Sequence, residues 1–234
     1  MIAANVINAS ANAGVAKLLY LGSTCIYPRQ AHQPIAEDAL LTGPLEPTNE
    51  AYAIAKIAGI KLAQAYRVEH GMDFISAMPT NLYGPGDNFD LAAGHVLPAL
   101  LWKIHHAKAT GEPSVVIWGS GSPRREFLHV DELASALVFL MENYSDVPHV
   151  NVGTGEDISI AELAELIKDV VGFKGRFVFD TSKPDGMPRK RTDISKLKGL
   201  GWRPTGTLRE GIESTYRWFL AHEHNLRGIE TTGA

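Results

Sequence analysis

KLLYLGSTCIYP, residues 17–28, decides how this chain is read. The run Lys17–Leu21 is apolar and is stopped by Gly22, the pattern of a short strand buried in a parallel sheet. A polar, proline-containing connection follows over residues 28–49. Residues 50–69 then form a strong helix, with Ile54, Ile57, Ile60, Leu62 and Ala65 inside it and Gly71 as its stop. DFISAM (73–78) returns as a second short strand, and PTNLYGPGDN after it is a loop dense in Pro, Gly and Asn.

The alternation continues outward. Residues 2–13 read as a helix with Ile2, Val6, Ala9 and Ala13 on one stripe, ended by Gly14. Residues 95–105 look helical, Ser114–Trp118 looks like a strand, and Asp131 caps a helix to about Glu142. Residues 149–152 form a strand leading into GTG. Two capping boxes, Ser159 with Glu162 and Thr207 with Glu210, open the late helices. RFVFD (Arg176–Asp180) and the loop KPDGMPRKR lie between them, and the tail after His222 reads as frayed. Strands alternating with helices predict an α/β fold with a parallel sheet.

Composition removes several classes. The net charge is −4 and Lys and Arg are scattered, so no nucleic-acid stripe is present. No apolar run approaches a membrane span, and the first residues lack the order of a signal peptide. A single cysteine, Cys25, excludes an internal disulfide framework and a cysteine zinc site, and fits a reducing, cytoplasmic setting with no metal.

Tyr52-Ala-Ile-Ala-Lys56 sets a phenol and an ammonium four residues apart, on one helical face. Tyrosine is a poor acid–base catalyst with a pKa near ~10, and a neighbouring cation favours the phenolate. A lone pair of this kind also arises by chance on surface helices. Ser23 changes that reading, because it lies at the C-terminal end of the preceding strand, where α/β sheets place ligands. Cys25 taken alone is a small buried hydrophobe, and His95 taken alone is a surface or helix-terminal residue.

The Ser…YxxxK order resembles the short-chain dehydrogenase/reductase superfamily. PTNLYGPGDN, RREFLHVDELA, NVGTG and LGWRP resemble its extended branch, which modifies sugar nucleotides. GSTCIYP, EPTNEAYAIAKIAGIKL, MPTNLYGPGDNF, HVLPALL, WGSGSPRREFLHVDE and KPDGMPRK together resemble the GDP-L-fucose synthase family, nearly colinearly over residues 2–220.

That resemblance implies a partial doubly wound, Rossmann-like parallel sheet with a smaller α/β substrate-binding domain. It places residues 1–83, with returns near 124–153, in the NAD(P)-binding domain, and residues 84–123 and 154–234 in the GDP-sugar domain. It implies an NADP-dependent epimerase and oxidoreductase acting on GDP-4-keto-6-deoxy-D-mannose. Cys25 and His95 are then the acid–base pair for inversion at C3 and C5, and a thiol and an imidazole both titrate in a range suited to it. Ser23 and Tyr52 hold the C4 oxygen. Tyr52 gives the proton in reduction, and Lys56 binds the nicotinamide ribose. Pro79, Asn81, Leu82 and His95 line the cofactor.

For the substrate, Arg125 pairs with pyrophosphate, Trp118 packs on the nucleotide or donates its indole N–H, and Asn81 and Lys103 add contacts. Trp118 and Leu82 also fit plain core packing. Lys183 and Arg189 are either solvated charges or part of a lid. Where this chain has Thr24-Cys25, the related 4,6-dehydratases carry an acidic pair and the 4-epimerases carry proton-inert residues.

The strand, GxxGxxG turn and helix that open dinucleotide-binding members do not occur before Gly22. The expectation is that three strands with their crossovers, roughly 80–100 residues at ~30 per βαβ unit, precede this sequence in a complete parent. On that expectation this stretch alone holds NADPH poorly, and the alternative is a non-catalytic remnant that binds sugar nucleotide or oligomerises. The resemblance further implies a homodimer built on the N-terminal helix and the helix over 50–69.

Overall fold

The computed structural model describes residues 2–91 and 94–226. The chain divides into two compact units. The first comprises residues 1–81, 131–156 and 190–204, and the second comprises residues 82–130, 157–189 and 205–234. In chain order the elements are α1 (Ile2–Asn12), β1 (Lys17–Leu21), α2 (Glu50–His70), β2 (Asp73–Pro79), β3 (Asn81–Tyr83), α3 (Val96–Thr110) and β4 (Ser114–Trp118). These are followed by β5 (Arg124–Arg125), β6 (Phe127–His129), α4 (Val130–Asn143), β7 (Val150–Val152), β8 (Ile158–Ser159) and α5 (Ile160–Val171). The last are β9 (Arg176–Asp180), α6 (Ser195–Leu200) and α7 (Leu208–His222). Among the described residues no helix is long and apolar enough to cross a membrane.

In the first unit the sheet order is β1-β2-β7, all parallel. β2 is the central strand, and every residue from Phe74 to Pro79 is buried. β1 forms the parallel strand expected at residues 17–21, but it is half-buried with Leu21 exposed, and β2 is the buried strand of the sheet. Its register, Lys17 opposite Asp73 through Leu21 opposite Ala77, sets Gly22 and Ser23 at the C-terminal edge of the sheet. α2 ends at Gly71, whose left-handed φ of 66° lets its N–H return to the last carbonyls. Gly59 has a different task. A Cβ there would enter the ring of Tyr20, so its absence lets α2 lie directly on β1.

The stripe expected on α1 is not its buried line. Ile7 is buried, while Ile2 and Val6 are 82% and 51% exposed. The helix packs through Ile7 and Ala11 against Ala63 and Phe74, and that neighbour sets the phase of its core face. Ile54 of α2 is likewise exposed, and Ile57 and Ile60 carry the contact.

The second unit gathers α3, α5 and α7 around β4 and β9, which pair in parallel. Leu97, Leu101, Ile104, Ile117, Leu163, Ile167 and Phe219 fill its core. Both capping boxes form, with Ser159 and Thr207 accepting from the Glu162 and Glu210 amides. β5 pairs antiparallel with β8. Part of the stretch read as a loop after Met78 is the strand β3, and α3 runs beyond His105 to Thr110. The tail read as frayed after His222 continues as a 3₁₀ turn, and Leu226 is buried; residues 227–234 lie outside the described residues.

The compact units depart from the boundaries read in the sequence by a few residues at 82–83 and 154–156, and by more at two segments. Residues 124–130 group with the second unit and residues 190–204 with the first. The latter segment is fastened there by a parallel bridge between Ile35 and Thr192, and by the Ile35 amide donating to the Arg191 carbonyl at 2.8 Å. The Asn151 amide adds a bond to the Asp193 carbonyl at 3.1 Å.

Candidate active site

In the first unit the chemistry-bearing residues gather where β1 ends. Ser23 caps the 3₁₀ turn Thr24–Ile26, and its Oγ accepts from the Cys25 amide at 3.2 Å. That bond uses a lone pair and leaves the hydroxyl proton for another acceptor. Thr24 and Ile26 are buried on either side, which holds the half-buried Cys25 in a fixed turn.

Tyr27 anchors the next step. Its hydroxyl donates to Asn151 Oδ1 at 2.5 Å and lies 3.0 Å from His149 Nε2. The hydroxyl has one proton, so His149 presents N–H to it. Burial, with Lys196 and Lys61 adding to it, pulls the His149 pKa down to about 4, which keeps the ring neutral at physiological pH. The same burial pushes the Tyr27 phenol up.

Tyr52 and Lys56 lie one turn apart on α2. The phenol side chain is 48% exposed and therefore open to a ligand. Lys56 Nζ donates to the Leu21 carbonyl at 2.8 Å and sits 5.7 Å from the centre of the Tyr52 ring and 5.5 Å from that of Tyr20. The helix and the strand end together hold the ammonium beside the phenol. Pro79 is buried at the end of β2, while Asn81 and Leu82 are half-buried beyond it.

Lys190 was not singled out by the sequence. Its Nζ donates to Cys25 Sγ at 3.4 Å, across a separation of 165 residues. The only signal was its place in a basic run, PRKR, which reads as solvated charge.

The second unit holds the remaining candidates. Trp118 is 63% exposed at the end of β4, with Lys103 Nζ 5.1 Å and Lys183 Nζ 5.6 Å from its ring centres. An open indole face flanked by ammonium groups suits a flat ring that carries negative charge. Burial lowers the Lys103 pKa, and it lowers that of Arg125 as well. Arg125 Nη1 donates to the Arg124 and Met187 carbonyls at 2.8 and 2.6 Å.

Arg189 is committed elsewhere. Its guanidinium donates to Asp157, whose side chain is only 3% exposed and which also takes Arg124 Nε at 2.9 Å. Burial works to raise the Asp157 pKa, but hydrogen bonds from Arg189 and Arg124 outweigh it and hold the carboxyl below its usual range. Asp157 was also missed, because its partner residues are distant in sequence. His95 is exposed and immediately precedes α3. It acts on a second unread carboxyl, Asp87, which burial raises while the Asn88 amide and the His95 charge pull it back.

The NAD dependent epimerase/dehydratase family matches residues 1–153. The chain belongs to that family. Within it, the chain is 63% identical over 219 residues to a putative GDP-L-fucose synthase 2 of Arabidopsis thaliana, covering 94% of this chain and 67% of that protein. It is 60% identical to a probable GDP-L-fucose synthase 1 of Oryza sativa subsp. japonica, with 94% and 67% covered. The NADP-bound crystal structure of a GDP-L-fucose synthetase from Naegleria fowleri superposes with a TM-score of 0.91 at 36% identity, covering 96% of this chain and 72% of that one. The α/β architecture with parallel strands is thus that of the epimerase/dehydratase family, as the sequence predicts. The exposed Tyr52 lies one helical turn from Lys56, whose ammonium is held at the C-terminal edge of the sheet.

Proposed function

We propose that the chain works as a GDP-L-fucose synthase, inverting C3 and C5 of GDP-4-keto-6-deoxy-D-mannose and reducing C4 with NADPH. The observation that carries this reading is a thiol, Cys25, fixed by Ser23 in the same compact unit as the Tyr52–Lys56 pair. The identity of 60% or more to plant GDP-L-fucose synthases supports the substrate class.

The Ser23 hydroxyl and the Tyr52 phenol donate to the C4 ketone oxygen. Cys25 takes the proton from the adjacent carbon as the electron pair moves to that oxygen, where the two donors stabilise it. His95 returns a proton on the other face. For reduction, Tyr52 gives its proton to the C4 oxygen while Lys56 keeps positive charge beside the phenol. NADPH supplies the hydride; Tyr52, Lys56, Pro79, Asn81, Leu82 and His95 are the residues we assign to holding it. Trp118, Lys103, Lys183 and Arg125 bind the GDP portion, with Asn81 near the sugar. Asp157 leaves Arg189 a structural part in that assignment. We keep the domain roles expected from the sequence, the NAD(P)-binding part over residues 1–83 with returns near 124–153 and the GDP-sugar part over residues 84–123 and 154–234.

The exposed Ile2 and Val6 of α1, with Ile54 and Val68 of α2, support a homodimer through these helices. The single free cysteine supports a cytoplasmic setting.

Solvent exchange tests the reading without cofactor. In D₂O the chain should place deuterium at C3 and C5 of GDP-4-keto-6-deoxy-D-mannose. Cys25→Ser should slow this by about 10²-fold, with a smaller effect on reduction at C4. Exchange in the variant at the wild-type rate, or none in the wild type, removes the proposal.

A further inference from the structure

We propose that Lys190 is the positioning residue for Cys25, holding its sulfur by an N–H···S contact and supplying the positive charge against which that sulfur carries negative charge. An ammonium has only donors, so at 3.4 Å the sulfur must be the acceptor, a role a thiolate fills better than a thiol. Cations beside cysteines favour the reactive, anionic form in general.

Both partners are anchored, which separates this contact from a passing surface encounter. On the cysteine side, Ser23 Oγ fixes the Cys25 amide at 3.2 Å. On the lysine side, the backbone after Lys190 is strapped to residues 33–35. The Arg191 amide donates to Gln33 Oε1 at 2.8 Å, and the Ile35 and Asp193 amides bond across the strap at 2.8 Å each. Ile35 and Thr192, which bridge it, are 0% and 1% exposed. Lys190 therefore starts from a rigid point.

During inversion the carbon–hydrogen bond breaks as the sulfur–hydrogen bond forms, and its electron pair passes to the ketone oxygen. Lys190 stays an ammonium throughout and exchanges no proton. This consequence for turnover rests on the epimerase reading above; the contact itself does not.

Cys25 is the sole cysteine of the chain, so alkylation reports on it alone. The full chain is treated with iodoacetamide at neutral pH, with no sugar or nicotinamide present. Lys190→Met should slow alkylation about three- to tenfold, and Lys190→Arg, which keeps a cation, should restore most of the rate. Iodoacetate, an anion, should lose more than neutral iodoacetamide in Lys190→Met. Circular dichroism and Tm confirm that both variants are folded. Alkylation of Lys190→Met at the wild-type rate overturns the proposal, as does an equal loss in Lys190→Arg. If the wild-type chain exchanges no deuterium into the sugar, the functional reading falls while the alkylation rates still decide the role of Lys190.

Discussion

Two pairs of cations, Lys56 with Lys190 in the first unit and Arg124 with Arg189 in the second, are held in opposite ways. Lys56 is held by a neutral backbone carbonyl, and Lys190 by a sulfur rather than a carboxylate. Arg124 and Arg189 converge instead on one carboxylate, Asp157. A cation fixed by a neutral group keeps its charge for whatever negative charge arises beside it. A cation paired with a buried acid has its field cancelled and serves to hold the chain together. Residue type alone does not separate these cases, and the identity of the partner does.

The sharpest way to break this comparison is at Tyr52. If Lys56 keeps its charge for the phenol, Tyr52→Phe should lower the rate of C4 reduction by about 10²- to 10⁴-fold, read as NADPH oxidation at saturating sugar nucleotide. Reduction at the wild-type rate would strip Tyr52 of its acid role. In the second unit, Trp118→Ala should weaken GDP binding about tenfold, the order of one lost stacking contact. Arg189→Ala should change it less than about twofold, because its charge is already spent on Asp157; isothermal titration of GDP compares the two. Equal losses would erase the distinction between free and paired cations.

The smallest effect tests the paired cluster itself. Asp157→Asn should lower Tm by about 4 °C at neutral pH while leaving Trp118-dependent GDP binding intact. The Asp157 carboxyl sits below its ordinary range in the folded chain, so its contribution is present above the unfolded value near ~4. It is lost as pH falls through the lower folded value. The difference between wild type and variant should therefore shrink on acidification, and a gap that widens would contradict the pairing.

Local signals made much of the fold legible. The end of α2 at Gly71 and the two capping boxes follow from residues within one turn of each other, and β4 and β9 follow from short apolar runs. The phase of α1 was not legible, because Ile7 and Ala11 face inward only by virtue of what α2 and β2 present to them. In the site, Ser23, Tyr52 and Lys56 announced themselves by order and spacing. Lys190 and Asp157 did not, since their partners lie 165 and 32 residues away and no local pattern encodes such a pairing. The assignment of His95 to Cys25 came from resemblance alone. Those two residues fall in different compact units.

Gly59 gives the first unit its working distance. Because nothing projects from that position, Tyr20 can slide beneath α2, and Lys56 reaches over the same ring to the end of β1. A single methyl group there would act as a spacer between helix and sheet. It would carry the phenol and the ammonium away from Ser23 and Cys25 without altering any of the four. The spacing of phenol, ammonium, hydroxyl and thiol is thus set by a residue that has no side chain.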